Sequence, residues 1–205
     1  MAEHTTSNVE EGGQAGGGGS TGNANVGECT VESFAAPIAK AVDNVHAAFA
    51  GNDAANIFPG PITDPDMPRS LYATFGAGYD GGDLTVDGTD IDDNVIQEVL
   101  ATNPGGDTKG VKCFKTVTQI AKASVGANPA TASVGVHDKI GVSGTPLRKV
   151  GVISVDGSTE HGTWDDGSVS AEERGFTPGT NVPDGARDYD VMFAETNAHS
   201  HAAIS

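Results

Sequence analysis

The sequence predicts an all-β protein, an antiparallel β-sandwich or jelly-roll-like body carried behind a flexible Gly-rich N-terminal arm. Three observations lead there. From Arg69 onward, short runs rich in β-branched and aromatic residues recur between turn residues, the texture of strands joined by tight connections. No helical periodicity separates them, which disfavours a parallel sheet built from crossover helices. Ahead of them, residues 1–27 hold Gly12, Gly13 and a run of glycines at 16–19 among small polar residues, a composition too poor in apolar surface to offset the entropy of ordering.

On this reading the chain divides into a disordered arm over residues 1–32, a tether or short helix or strand over 33–60, a β-sandwich over 61–197 and a tail over 198–205. In the second segment Ile38, Ala41, Val42, Val45, Ala48 and Phe49 recur near helical spacing, with Pro37 as a first-turn proline and Gly51 as a stop. An extended strand through residues 45–48 competes with that helix. Pro61, Pro65 and Pro68 then fix φ, remove amide donors and hold their predecessors extended. The chain therefore enters its body as a stiff segment, and residues before about 62 read as dispensable for folding but needed for attachment. Residues 71–75 form the first strand, and a turn at 79–82 leads to a strand at 84–86. Asp92, Asp93 and Asn94 make a hairpin turn into the apolar run 95–100. A loop at 103–110 precedes a long strand at 111–120, and further strands follow at 131–136, 139–142 and 147–155. In the last strand Tyr189, Val191 and Phe193 alternate with Asp190 and Met192, the period of a half-buried strand. Trp164, the only tryptophan, fills part of the core or its edge.

The formal net charge is -17, from 28 acidic and 11 basic residues. That balance argues against nucleic acid as a partner, because attraction to a phosphate backbone needs clustered Lys and Arg. Few lysines with abundant Asp, Gly, Ala, Thr and Val resemble the halophilic composition of proteins from salt-loving archaea, where concentrated salt screens the self-repulsion. A mesophilic acidic surface serving solubility is the competing reading. No run approaches the ~20 consecutive apolar residues of a membrane helix, and the N-terminus lacks the basic and apolar regions of a signal peptide. No membrane partner is expected. Cys29 lies in the Gly-rich tether and Cys113 in an apparent strand, so Cys113 reads as a buried free thiol and not as half of a disulfide or metal site.

The motifs carry little chemistry. Gly141, Val142, Ser143 and Gly144 fall short of a nucleophile elbow, and no strand-to-helix turn surrounds them. Residues 105–110 hold glycines and Lys109 without phosphate-loop spacing. Glu172 and Glu173 lie where a solvated loop is expected, so no catalytic residue and no cofactor are assigned. Asp80, Asp83, Asp87, Asp90 and Asp92 crowd a hairpin region, and a structural Ca²⁺ or Mg²⁺ held by Asp87, Asp90 and Asp92 is one reading, since Ca²⁺ takes about six to eight oxygen ligands. The spacing is not that of an EF-hand loop, which favours a solvated acidic face. His199 and His201 sit in a Ser/Ala/His tail, where disorder is preferred to a shared metal.

A series of landmarks gives the chain a resemblance. Pro65, Asp66, Met67, Pro68 and Arg69 come first; then residues 86–90 with Glu98 after the hairpin; then residues 109–117, including Phe114; then the glycine-containing run 134–142; and last Arg174 to Pro178 with Asp184, Gly185 and Tyr189. In order and spacing these resemble a group of tailed-virus structural proteins over residues 62–193, with the composition suggesting a virus of haloarchaea. Asp93 stands where that group has a turn glycine, and Cys113 where it has alanine. The resemblance implies a β-sandwich on the capsid exterior, assembled in the host cytoplasm: a decoration, cement or turret protein partnered by the major capsid protein lattice and by further copies of itself. Pro65, Pro68, Arg69, Glu98 and Phe114 are its structural or interface residues. Arg69, held behind Pro68 in so acidic a chain, is expected to bridge carboxylates, with Glu98 and Asp90 the partners the landmarks suggest if the bridge is internal. The alternatives are a host-surface module that binds glycan through Asp/Asn/Gly loops, or a tail or neck component.

Overall fold

A computed structural model of the chain describes residues 4–9, 29–58, 60–143, 147–160, 162–165 and 171–195. The described strands, in chain order, are β1 (His4–Val9), β2 (Cys29–Phe34), β3 (His46–Ala50), β4 (Arg69–Phe75), β5 (Leu84–Thr89), β6 (Val95–Leu100), β7 (Asp107–Phe114), β8 (Thr116–Lys122), β9 (Thr131–Gly141), β10 (Leu147–Val155), β11 (Ser158–Glu160), β12 (Gly162–Asp165), β13 (Gly175–Pro178) and β14 (Tyr189–Glu195), with one 3-10 turn at Ala171–Glu173. Every pairing between them is antiparallel. The protein is all-β, as the recurrence of short strands predicts.

Three sheets result. The first runs β1-β2-β14-β10-β11; the second runs β12-β13-β9-β4-β7 with β3 also on β9; the third is β6-β5-β8. The second and third enclose the larger core, built from Val45, Phe49 of β3, Leu71 and Phe75 of β4, Leu84 and Val86 of β5, Ile96 and Leu100 of β6, and their neighbours on β7, β8 and β9. A smaller core of Phe34, Met67, Ile140, Val155, Phe176, Tyr189 and Val191 joins the first sheet to the far end of the second, with Trp164 at its edge. β9 is the common member, buried along most of its length. Its first half pairs with β3, its last residues with β13, and β4 runs along its other side.

Several sequence expectations change. Residues 1–32 are not wholly an unstructured arm: β2 pairs with both β1 and β14, while residues 10–28 lie outside the described residues. The helix over residues 34–49 is not formed; residues 46–50 are a strand, and residues 37–45 cross the second sheet without regular structure. Glycine permits that crossing, because a Cβ on Gly135 of β9 would overlap the carbonyl oxygen of Ala41. Ser133 Oγ donates to Val42 O at 2.9 Å and Val136 N to Asn44 Oδ1 at 2.9 Å, pinning the crossing segment. Of the apolar residues spaced as for that helix, Val45 and Phe49 enter the larger core, whereas Ile38 and Val42 stay exposed. The long strand expected at 111–120 is two, β7 and β8, which belong to different sheets. The chain changes sheet at Lys115, whose amide donates to Thr89 O at 2.7 Å. The strands expected at 131–136 and 139–142 are one strand, β9. Asp93, in the β5-β6 turn, has φ of 64°, the left-handed conformation that glycine adopts without cost.

Candidate functional site

The residues singled out from sequence fall into three places. Pro65 and Pro68 are buried and aim Arg69, whose side chain is fully enclosed. Arg69 Nε donates to His137 O at 2.8 Å and Nη1 to Ile38 O at 2.5 Å, and Nη1 lies 3.5 Å from Asp66 Oδ1. Asp66 Oδ2 in turn accepts the Ile38 amide at 2.8 Å. Burial pulls the guanidinium pKa down while Asp66 and Asp138 support its charge. The bridge is internal, but its carboxylate is Asp66, three residues away, and neither Glu98 nor Asp90. It ties the crossing segment to β4 and β9.

Glu98 closes the gap between the second and third sheets. Its Oε1 accepts the amides of Val111 at 2.6 Å and Lys112 at 3.3 Å, so a side chain of β6 satisfies the free edge of β7. A Cβ on Gly110 would collide with that carboxylate. Burial pushes the Glu98 pKa up, against the pull of the two amides and of Lys112. The folded protein therefore holds this proton more tightly than the unfolded chain. The resulting penalty is absent below the unfolded pKa and grows as pH rises through the folded one. Glu98→Gln keeps an acceptor without the charge and is expected to remove that decline, in urea melts followed against pH. Glu98→Ala strands two amides and is expected to cost about 1–3 kcal/mol at neutral pH. Phe114, fully buried at the end of β7, belongs to the larger core.

The hairpin aspartates diverge. Asp90 folds back on its own turn, accepting from Asp92 N and Asn94 N at 2.9 Å each and from Asn94 Nδ2 at 3.1 Å. Asp92 pairs with Arg174 Nη2 at 2.9 Å. Asp87 accepts Gln97 Nε2 at 2.6 Å and Gln119 Nε2 at 3.5 Å. Among the described residues no group of three or more His, Cys, Asp or Glu is placed to hold a metal ion; His199 and His201 lie outside them. Loop carboxylates are likewise occupied by backbone: Asp80 takes the amides of Ala127 and Asn128, and Asp83 that of Thr102. Ser143 donates from both N and Oγ to the buried Glu32 of β2, which makes it a staple between strands. Burial pushes the Cys113 thiol up to about 12, so it is unreactive at neutral pH.

The outward face of the third sheet is the feature that single-residue reasoning missed. Register places three cross-strand rows on it. Val99, Thr85 and Ala121 form one, extended by Ile57, which bridges to Ala121. Gln97, Asp87 and Gln119 form the second, a carboxylate held between two amides. Val95, Thr89 and Thr116 form the third, with Thr89 Oγ1 and Thr116 Oγ1 hydrogen-bonded at 2.8 Å. Val95 is 86% exposed, Val99 56% and Ile57 54%. In a chain of charge -17, these rows carry a single carboxylate. Elsewhere Lys112, Lys115, Lys139, Arg174 and Arg187 each lie against a carboxylate, Lys122 donates to Gly51 O and Asp53 O, and Lys40 sits over the Tyr72 ring.

The β8 edge of this sheet is closed: Phe58 N donates to Ile120 O, Lys122 N to Asn56 O and Val117 N to Asp64 Oδ1. Strand addition at that edge is thereby blocked, and the three rows present their side chains outward. Comparison with protein-family models, with curated proteins and with solved structures finds no match for this chain.

Proposed function

We propose that this protein is a structural component of a tailed-virus particle, a decoration, cement or turret protein on the capsid exterior that meets its neighbours in the coat through the outer face of β6-β5-β8. The observation that carries the reading is the contrast between that nearly uncharged face and the acidic charge of the chain as a whole. A coat subunit needs one surface where its own charge does not oppose close packing, whereas charge elsewhere keeps the assembled particle soluble. The order of the landmarks from Pro65 to Tyr189 supports the same role. The glycan-binding alternative draws no comparable support, since Asp80 and Asp83 in the loops are taken up by backbone amides. Quantitative mass spectrometry of purified particles tests the proposal: many copies per particle, in fixed ratio to the major capsid protein, are expected, and absence from particles or a few copies at a tail tip contradicts it.

Salt that screens like charges is expected to raise the melting temperature, so circular dichroism in molar KCl should give a later transition than in ~0.1 M salt, where the Debye length is still about 10 Å. Identical transitions would remove the halophilic part of the proposal.

A further inference from the structure

We infer that the partner seated on the outer face of β6-β5-β8 is a second copy of this chain, stacked face to face. This pairing rests on the proposed coat role, which supplies its setting.

Charge selects the occupant. A cationic partner gains by meeting the acidic surface, and a charge-free patch is a poor place for it to bind. For a partner that is itself strongly acidic, the opposite holds: approach is opposed wherever carboxylates face one another and is least opposed where they are missing. A second copy, also at -17, is such a partner. When two copies of this face meet, one carboxylate per copy is brought in, and Asp87 already has Gln97 and Gln119 donating to it. The apolar residues Val95, Val99 and Ile57, exposed on the isolated chain, supply surface that gains by leaving water. The β8 edge is closed to strand addition and the exposed apolar side chains lie on the face, so the contact is a stacking of faces, at the ~10 Å separation of packed sheets.

Size sets the strength. Strands of six residues at about 3.4 Å per residue, three abreast at about 4.8 Å, give a patch of roughly 300 Å². A standard interface buries about 800 Å² per partner, so this contact is weak in solution and gains its effect where copies are already held close together, as in a coat.

The test is sedimentation equilibrium of the full chain in molar KCl, over a concentration series reaching the millimolar range. Reversible self-association is expected, weakened at least tenfold by Val95→Asp or Val99→Asp and strengthened several-fold by Asp87→Asn. Val182→Asp, at an exposed position between β13 and β14, is expected to leave it unchanged. Val95 is so exposed that its substitution should leave the melting curve in place, which keeps the test valid even if Val99→Asp destabilises the sheet. A wild type that stays monomeric throughout overturns the inference, as does association indifferent to Val95→Asp. Neither outcome bears on whether the protein is present in particles, so failure here is distinguishable from failure of the coat proposal.

Discussion

A chain that begins at Gly60 is expected not to fold. The sequence alone suggests the reverse, because the first 60 residues are rich in glycine and small polar side chains. In the structure they contribute β2, which lies between β1 and β14, and β3, which pairs with β9. Their removal takes Phe34 from the smaller core and Val45, Phe49 and Phe58 from the larger, each with at most 6% of its surface exposed. Burial of such side chains contributes about 1.5–3 kcal/mol each, so four of them account for roughly 6–12 kcal/mol against a typical total stability of about 5–15 kcal/mol. The loss also strips Lys122 of its acceptors Gly51 O and Asp53 O and Arg69 of Ile38 O. Circular dichroism and limited proteolysis should find no cooperative transition and rapid cleavage. A cooperative melt from the shortened chain would mean that residues 60 onward fold by themselves.

Arg69→Ala is expected to destabilise the protein by about 3–5 kcal/mol, the range for breaking a buried ion pair by removing one partner. The guanidinium is wholly enclosed and joins three separate stretches: Asp66 in the entry segment, Ile38 in the crossing segment and His137 on β9. Its loss leaves two carbonyls without this donor and Asp66 without its cationic partner. Arg69→Lys retains charge but not the planar fork that reaches Ile38 and His137 together, and an intermediate loss is expected. Urea unfolding of the isolated protein gives both values. An Arg69→Ala midpoint equal to wild type would show that the ion pair contributes nothing net.

The legible parts of the fold are those where one face is buried and the period is two. β6 alternates exposed and buried along its length, and Tyr189 and Val191 turn inward on β14 as their spacing predicts. β2 carries no such signal, because its buried Glu32 is satisfied by Ser143, which lies 111 residues away and is invisible to local pattern. β3 consists of His46, Ala47, Ala48, Phe49 and Ala50, residues with no strong strand preference, and its pairing with β9 overrides their propensity. Arg69 is recognisable as a bridge from its setting after Pro68, but its partner is not, since choosing among carboxylates requires the path of the crossing segment. The outer face of the third sheet is hidden by a different ambiguity. In the run Val95 to Leu100 both alternating sets contain large apolar residues, so the pattern alone does not say which set faces the core. Only with Ile96 and Leu100 placed inside does the exposure of Val95 and Val99 become informative.

Hydroxyl-radical footprinting of the protein, free in solution and within purified particles, decides whether the coat is assembled through the outer face of β6-β5-β8. Val95 and Val99 should be labelled readily in the free protein and protected in the particle, while Val182, between β13 and β14, is labelled equally in both. Equal labelling of Val95 and Val99 in the two states would contradict assembly through this face.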